Sequence, residues 1–318
     1  MAHPSASFAN VFEIFGPGAK AQGAAGVGVA MGRSPAAAWL NPATLVDVER
    51  SATLGWFSGF DRSSVLLMER PAGYDPDTYD TRLRPRRDTD ERSSHGGLVA
   101  GLVLPLPVWD LTLGAVLYAP STGFARLTPH FTDEREQFFT NRLHFDVLGK
   151  RLRGEVIAGG LGWRAADWLA LGVGVAVLPK NRTDARVHTP NAGDPAASWI
   201  APDIEVGMAQ ALLIGVRAEP LSGLRVGVSF QDEIAFAVRG SNEIQLGGAE
   251  RGDEYPVIQS MDVVGSYSPP RVAGGMSVTW SGITAALEAR WRLWGRHRSA
   301  FGEETGLRDT LDLSAGVE

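Results

Sequence analysis

Residues 283–294 read ITAALEARWRLW, and two periods compete for them. At helical spacing Ile283, Leu287, Trp291 and Trp294 gather on one side, with Glu288 and Arg292 able to pair four residues apart. At strand spacing Ile283, Ala285, Leu287, Ala289, Trp291 and Leu293 form a wholly apolar face opposite Glu288, Arg290 and Arg292. The neighbouring segments decide the period. LRVGVSFQ sets Leu224, Val226, Val228 and Phe230 against Arg225, Gly227, Ser229 and Gln231. WLALGVGVAVL sets Leu169, Leu171, Val173, Val175 and Val177 against Ala170, Gly172, Gly174 and Ala176, and DLTLGAVLY and VAGGMSVTW alternate more loosely. Glycine at this density would cost a helix about 1 kcal/mol per residue relative to alanine. Period two therefore holds from about Ser51 onward, and the chain is all-β there. Residues 16–45, dominated by Gly and Ala, fit neither a clean strand nor a long amphipathic helix.

The connections alternate in length. Short links at 105–110, 164–167 and 219–223 lie on one side, and long polar ones, roughly 71–95, 125–145, 183–203 and 240–257, on the other. That asymmetry belongs to outer-membrane barrels, although a soluble sandwich also alternates, with its apolar face turned inward. Two features favour the membrane. The alternating runs reach about ten residues, the length of a tilted span. Trp56, Phe57, Trp109, Tyr118, Trp163, Trp168, Trp280, Trp291 and Trp294 cluster near strand ends, as interfacial girdles do. Glu288, Arg290 and Arg292 then face a wet or plugged lumen.

Composition narrows the classes. The 318 residues have a mean hydropathy of -0.05, and no run of apolar residues is long enough for a spanning helix. Cysteine is absent, so disulfide frameworks and thiolate chemistry are excluded. The net charge of -6 argues against nucleic acid as a partner. The opening MAHPSASFAN carries neither a basic n-region nor an apolar h-region. That start suits either a cytosolic protein or a mature chain without its leader.

GPGAKAQGAAGVGVAMGRSPAAAWLNPATL (16–45), ending in Asn41-Pro42-Ala43, resembles the start of the FadL family of outer-membrane transporters for long-chain fatty acids and aromatic hydrocarbons. GLVLPLPVWDLTLGAVLYAPSTGFARL, VIAGGLGWRAADWLALGVGVAVLPKN and YSPPRVAGGMSVTWSGITAALEARWRLWG follow in family order. The resemblance implies an antiparallel transmembrane β-barrel of about fourteen strands. It places an N-terminal plug in residues 1–48, the barrel in residues 49–318, and about ten or eleven strands in this chain. It implies passive uptake of hydrophobic small molecules across a Gram-negative outer membrane by a monomer without cofactor. Asn41 would lie in the plug beside a lateral exit at a kink in the third strand, near Tyr118, Pro120 and Gly123. Pro120 cannot donate to a ladder and Gly123 loosens one, which suits a kink and equally a plain strand end. Such barrels normally finish on an aromatic residue, so the Glu318 finish suggests that the sequence stops short of its last strands.

Candidate chemistry is sparse. Gly26, Gly28 and Gly32 follow no strand and lack nucleotide-loop spacing. Asp75, Asp77 and Asp80 precede no calcium loop. Arg82, Arg84, Arg86, Arg87 and Arg92 could meet lipopolysaccharide phosphates or simply form a self-neutralising loop. Six scattered histidines have no metal spacing and no nucleophile elbow beside them, so an envelope hydrolase or acyltransferase finds no specific support. Phe8, Val11, Phe12, Ile14 and Phe15 form an apolar cluster that lines a ligand pocket or anchors the plug. Arg225, Arg290 and Arg292 are candidate partners for a ligand carboxylate, or else for lumen acids such as Glu288. The alternative to transport is a structural or assembly barrel with a permanently shut plug.

Overall fold

The computed structural model describes residues 16–65, 89–121, 155–178, 181–184, 187–191, 197–206, 208–244, 257–298 and 304–318. In chain order the strands are β1 (Ser51–Val65), β2 (Thr89–Pro105), β3 (Leu111–Pro120), β4 (Val156–Ala166) and β5 (Leu169–Leu178). There follow β6 (Asn181–Asp184), β7 (Val187–Asn191), β8 (Ala197–Val206), β9 (Ala209–Leu221) and β10 (Leu224–Gln231). The last are β11 (Ile234–Ile244), β12 (Val257–Ser268), β13 (Arg271–Trp280), β14 (Ile283–Arg292) and β15 (Thr310–Val317).

Ten strands form one antiparallel sheet in the order β1-β2-β3-β4-β5-β9-β10-β13-β14-β15, open between β1 and β15. A second sheet runs β12-β11-β8-β6, with β7 paired to β8. It prolongs the first: β5 leads into β6, β8 into β9, β10 into β11 and β12 into β13, and the neighbour order is kept. The break between β12 and β13 falls at Pro269-Pro270, which offer the ladder no N–H. Residues 183–203, expected as a loop, therefore carry strand. Alternation is poor in ASWIAPDIEV and short in the two pieces before it, so the period signal was missed there.

The short links sit at one end. Ser281 and Gly282, both at positive φ (48° and 84°), make the two-residue turn whose twist matches its flanking strands. Trp109, 82% exposed, and Trp168, Trp163 and Trp280 cluster around these links.

Sidedness is the inverse of a soluble sheet. On β5, Leu171, Val173 and Val175 point outward and are exposed, while Ala170 and Ala176 are buried. Leu212, Ile214 and Val216 on β9, Val226 and Val228 on β10, and Ile283, Leu287 and Trp291 on β14 are likewise exposed. Arg217, Gln231, Arg271, Glu288, Arg290 and Arg292 are buried. β14 thus sorts its residues as strand spacing requires, with one trim: the strand ends at Arg292, and Trp294 opens a 3-10 turn.

The sheet curls around residues 16–50. This segment holds the short helices α1 (Ala19–Gly23) and α2 (Ala37–Leu40) and a 3-10 turn over Pro42–Asp47. Arg33 donates to Thr284 Oγ1 on β14, while a Cβ at Gly101 on β2 would stand 2.5 Å from Pro35. In the flat sheet β2 and β14 would be seven steps apart, roughly 34 Å at about 4.8 Å per step. Two residues of chain cannot bridge that, so the sheet is a curved wall. Its architecture is an antiparallel transmembrane β-barrel with apolar side chains outside. The inner wall is divided. Val99, Val103, Val116, Tyr118, Val156 and Leu213 pack with Trp39, Leu40 and Leu45 in an apolar sector, and β10, β13 and β14 supply a polar one.

Candidate functional site

The N-terminal segment meets the wall where glycines leave it bare. A Cβ at Gly172 would lie 2.1 Å from Ala43 N, one at Gly215 1.8 Å from Asn41 Oδ1, and one at Gly227 2.1 Å from Val29 O. Such distances admit no side chain, so the three positions on β5, β9 and β10 let the segment rest directly on the backbone of the wall. Asn41 completes the seat. Its Nδ2 donates to Val29 O (2.6 Å) and to Val216 O on β9 (3.1 Å), and its Oδ1 accepts from Ala43 N (3.0 Å). Thr44 Oγ1 donates to Asn41 O, so two side-chain bonds secure the start of the 3-10 turn.

Charge secures the turn end of this seat. Asp47 lies 3.0 Å from Arg217 Nε, 3.4 Å from Arg164 and 3.9 Å from Arg225. Glu219 joins Arg217 at 2.6 Å and Arg225 at 3.2 Å. The Arg217 and Asp47 side chains are 1% and 6% exposed, so this pair is taken out of water, while Arg164, Arg225 and Glu219 stand partly exposed around it. A second group grips residues 26–29. Glu288 Oε2 accepts from Gly28 N (2.7 Å) and Val29 N (3.0 Å), its Oε1 accepts from Arg290 Nε (2.5 Å), and Arg290 also donates to Gly26 O.

A cavity of about 310 Å³ opens between the segment and β1–β3. Phe57, Val99 and Val116 form its apolar wall, and Lys20, Arg33 and Thr53 its polar rim. Phe57 meets Tyr118 edge to face at 6.1 Å between centroids.

The expected site residues are distributed around this centre. Asn41, Pro42 and Ala43 form the seat, and Tyr118 lies buried behind the cavity. Pro120 ends β3: its pairing with β2 reaches Pro120 and that with β4 reaches Tyr118, without a register shift. Arg225 and Arg290 are bound to carboxylates as above, and Arg292 pairs with Asp312 at 2.5 Å. Phe8, Val11, Phe12, Ile14, Phe15 and Gly123 lie outside the described residues. Asp47, Arg164, Arg217 and Glu219 were not anticipated. Alternation carried through ALLIGVRAEPL would have turned Arg217 inward with Ala211 and Leu213, but nothing local pairs it with Asp47.

No protein-family model and no curated protein sequence matches the chain. Among solved structures, the toluene transporter TbuX of Ralstonia pickettii superposes with a TM-score of 0.50 at 13% identity, over 97% of this chain and 83% of its own. CymD, a monoaromatic hydrocarbon channel, does so at 0.50 and 13%, over 96% and 76%. The chain has the FadL-type barrel fold. In this FadL-type barrel the inner wall and the segment it encloses bring the buried polar and charged groups together. Among the described residues no group of His, Cys, Asp and Glu is placed to hold a metal.

Proposed function

We propose that the protein is a passive uptake channel for hydrophobic small molecules in the outer membrane of a Gram-negative cell. The observation that supports this most is the sidedness of the wall: aliphatic side chains outside, buried charges and a packed segment inside. In this reading residues 1–48 are the plug, and ligand rests in the cavity beneath it. About 310 Å³ is near the lower end of ligand pockets, which run about 300–1,000 Å³. It is about twice a cavity of about 150 Å³ known to take benzene. Single-ring aromatics therefore suit it better than an extended acyl chain, with long-chain fatty acids the second class. Burial of apolar surface drives entry, at about 0.8 kcal/mol per methylene. Exit is sideways near the end of β3, where Pro120 withholds a donor and the β4 ladder has already stopped.

A second reading, a structural barrel with a shut plug, draws on the Asp47 ion pairs and the hydrogen bonds from Glu288 and Arg290 that hold the segment at two places. Uptake separates the two. Cells expressing the protein should accumulate labelled toluene faster than empty-vector cells, and Val116→Trp, which fills the cavity, should remove most of the gain. Equal accumulation of toluene and oleate in both cell types refutes transport.

A further inference from the structure

The cavity between the N-terminal segment and β1–β3 is itself divided. Phe57, Val99 and Val116 give it an apolar wall, and Phe57 stands edge to face against Tyr118, so this wall suits a single aromatic ring. The described lining also carries two cations, Lys20 and Arg33, and no carboxylate side chain. Arg33 is partly neutralised. It lies 3.4 Å from Glu318, which lines the small hollow beside this cavity, and it donates to Thr284 Oγ1. Lys20 is exposed on α1, and its ammonium meets no acid among the described residues. Ser51 Oγ, in the same lining, is buried and makes no hydrogen bond. A neutral hydrocarbon would occupy the wall and leave both polar groups idle.

The three arginines expected at a ligand carboxylate already have acids of their own. Arg225 is paired with Glu219, Arg290 with Glu288 and Arg292 with Asp312. Building on the uptake reading, we infer that the cavity takes a single-ring aromatic carboxylate in preference to a neutral arene. The ring rests on the Phe57, Val99 and Val116 wall, and the carboxylate meets the Lys20 ammonium. That ammonium is a compact charge on a flexible stem, so it can follow acids whose carboxylate stands one or two carbons from the ring. Arg33 adds to the positive potential at the rim without having to leave Glu318.

Phenylacetate and phenylacetamide test this, because they share ring, length and shape and differ by one charge. In phosphatidylcholine nanodiscs at low salt, the wild-type chain should bind phenylacetate about fivefold more tightly than phenylacetamide, the upper end for a solvent-accessible ion pair. Lys20→Met should bring the two within about twofold by weakening phenylacetate alone, and Lys20→Arg should keep the preference. Val116→Trp, which fills the cavity, should weaken both. Equal wild-type affinities overturn the carboxylate preference, and a preference undiminished in Lys20→Met overturns the role of Lys20. Binding of phenylacetamide and toluene with no preference for the acid removes this inference and leaves the uptake reading standing. Binding of none of the three removes the cavity as a ligand site, and both readings fall together.

Discussion

Val173→Arg tests the outward orientation most directly. Val173 is the fifth residue of β5, with its side chain about half exposed, and it lies between Leu161 on β4 and Ile214 on β9. A strand rises about 3.4 Å per residue, and a tilt of about 40° leaves roughly 2.6 Å of height. Four residues above the turn end at Leu169, Val173 stands roughly 10 Å up a hydrocarbon band about 25 Å tall, close to its midplane. Arginine at that depth costs about 2–4 kcal/mol, a factor of roughly 30 to 700 in the folding equilibrium. Ile283, at the turn end of β14, should tolerate arginine at about 0–1 kcal/mol. In a water-facing sheet both changes would fall within about 0.5 kcal/mol, as exposed substitutions do. Reversible urea unfolding from phospholipid vesicles, with tryptophan fluorescence as readout, measures the difference. Equal urea midpoints for Val173→Arg and wild type would refute the claim that this face meets lipid.

The seat of the N-terminal segment makes three further predictions under the same assay. Gly215→Val drives a side chain into Asn41 and should cost about 3 kcal/mol, the upper end for overpacking, whereas Gly274→Ala, with nothing within 4 Å of its new Cβ, should be nearly neutral. Arg217→Met leaves Asp47 with only the 3.4 and 3.9 Å guanidinium contacts and should cost about 3 kcal/mol; an unchanged urea midpoint would show that the cluster contributes nothing. Asn41→Ala loses three hydrogen bonds and should cost about 1–3 kcal/mol. Asn41→Asp should be worse than Asn41→Ala, since it turns an oxygen toward the carbonyls of Val29 and Val216; the reverse order would show that the amide's donors are not what holds the seat.

Much of the wall was legible in the chain, and particular residues show why. Glu288, Arg290 and Arg292 alternate with Leu287 and Trp291, so their opposite faces follow from a two-residue period alone. The pairing of Arg290 with Glu288 was within reach for the same reason, because both stand on one strand face. What Glu288 holds was not. Its partner Gly28 is 260 residues away, and no local pattern joins them. The cluster around Asp47 draws on three strands whose adjacency depends on sheet order. The cavity depends on where a glycine- and alanine-rich segment of no clear period comes to rest.

Alternation along each strand is a property of the backbone, whose successive side chains point to opposite sides, and so the sequence by itself determined which residues share a face. It also placed the short links at 105–110, 164–167 and 219–223, because the alternation breaks there between strands. Which face looks outward was decided by the tertiary structure, since curvature and enclosure arise only when ten strands pair across long separations and wrap around a segment that fits their bare glycines. A period carries no sign, and the wall acquires an inside only by closing around something.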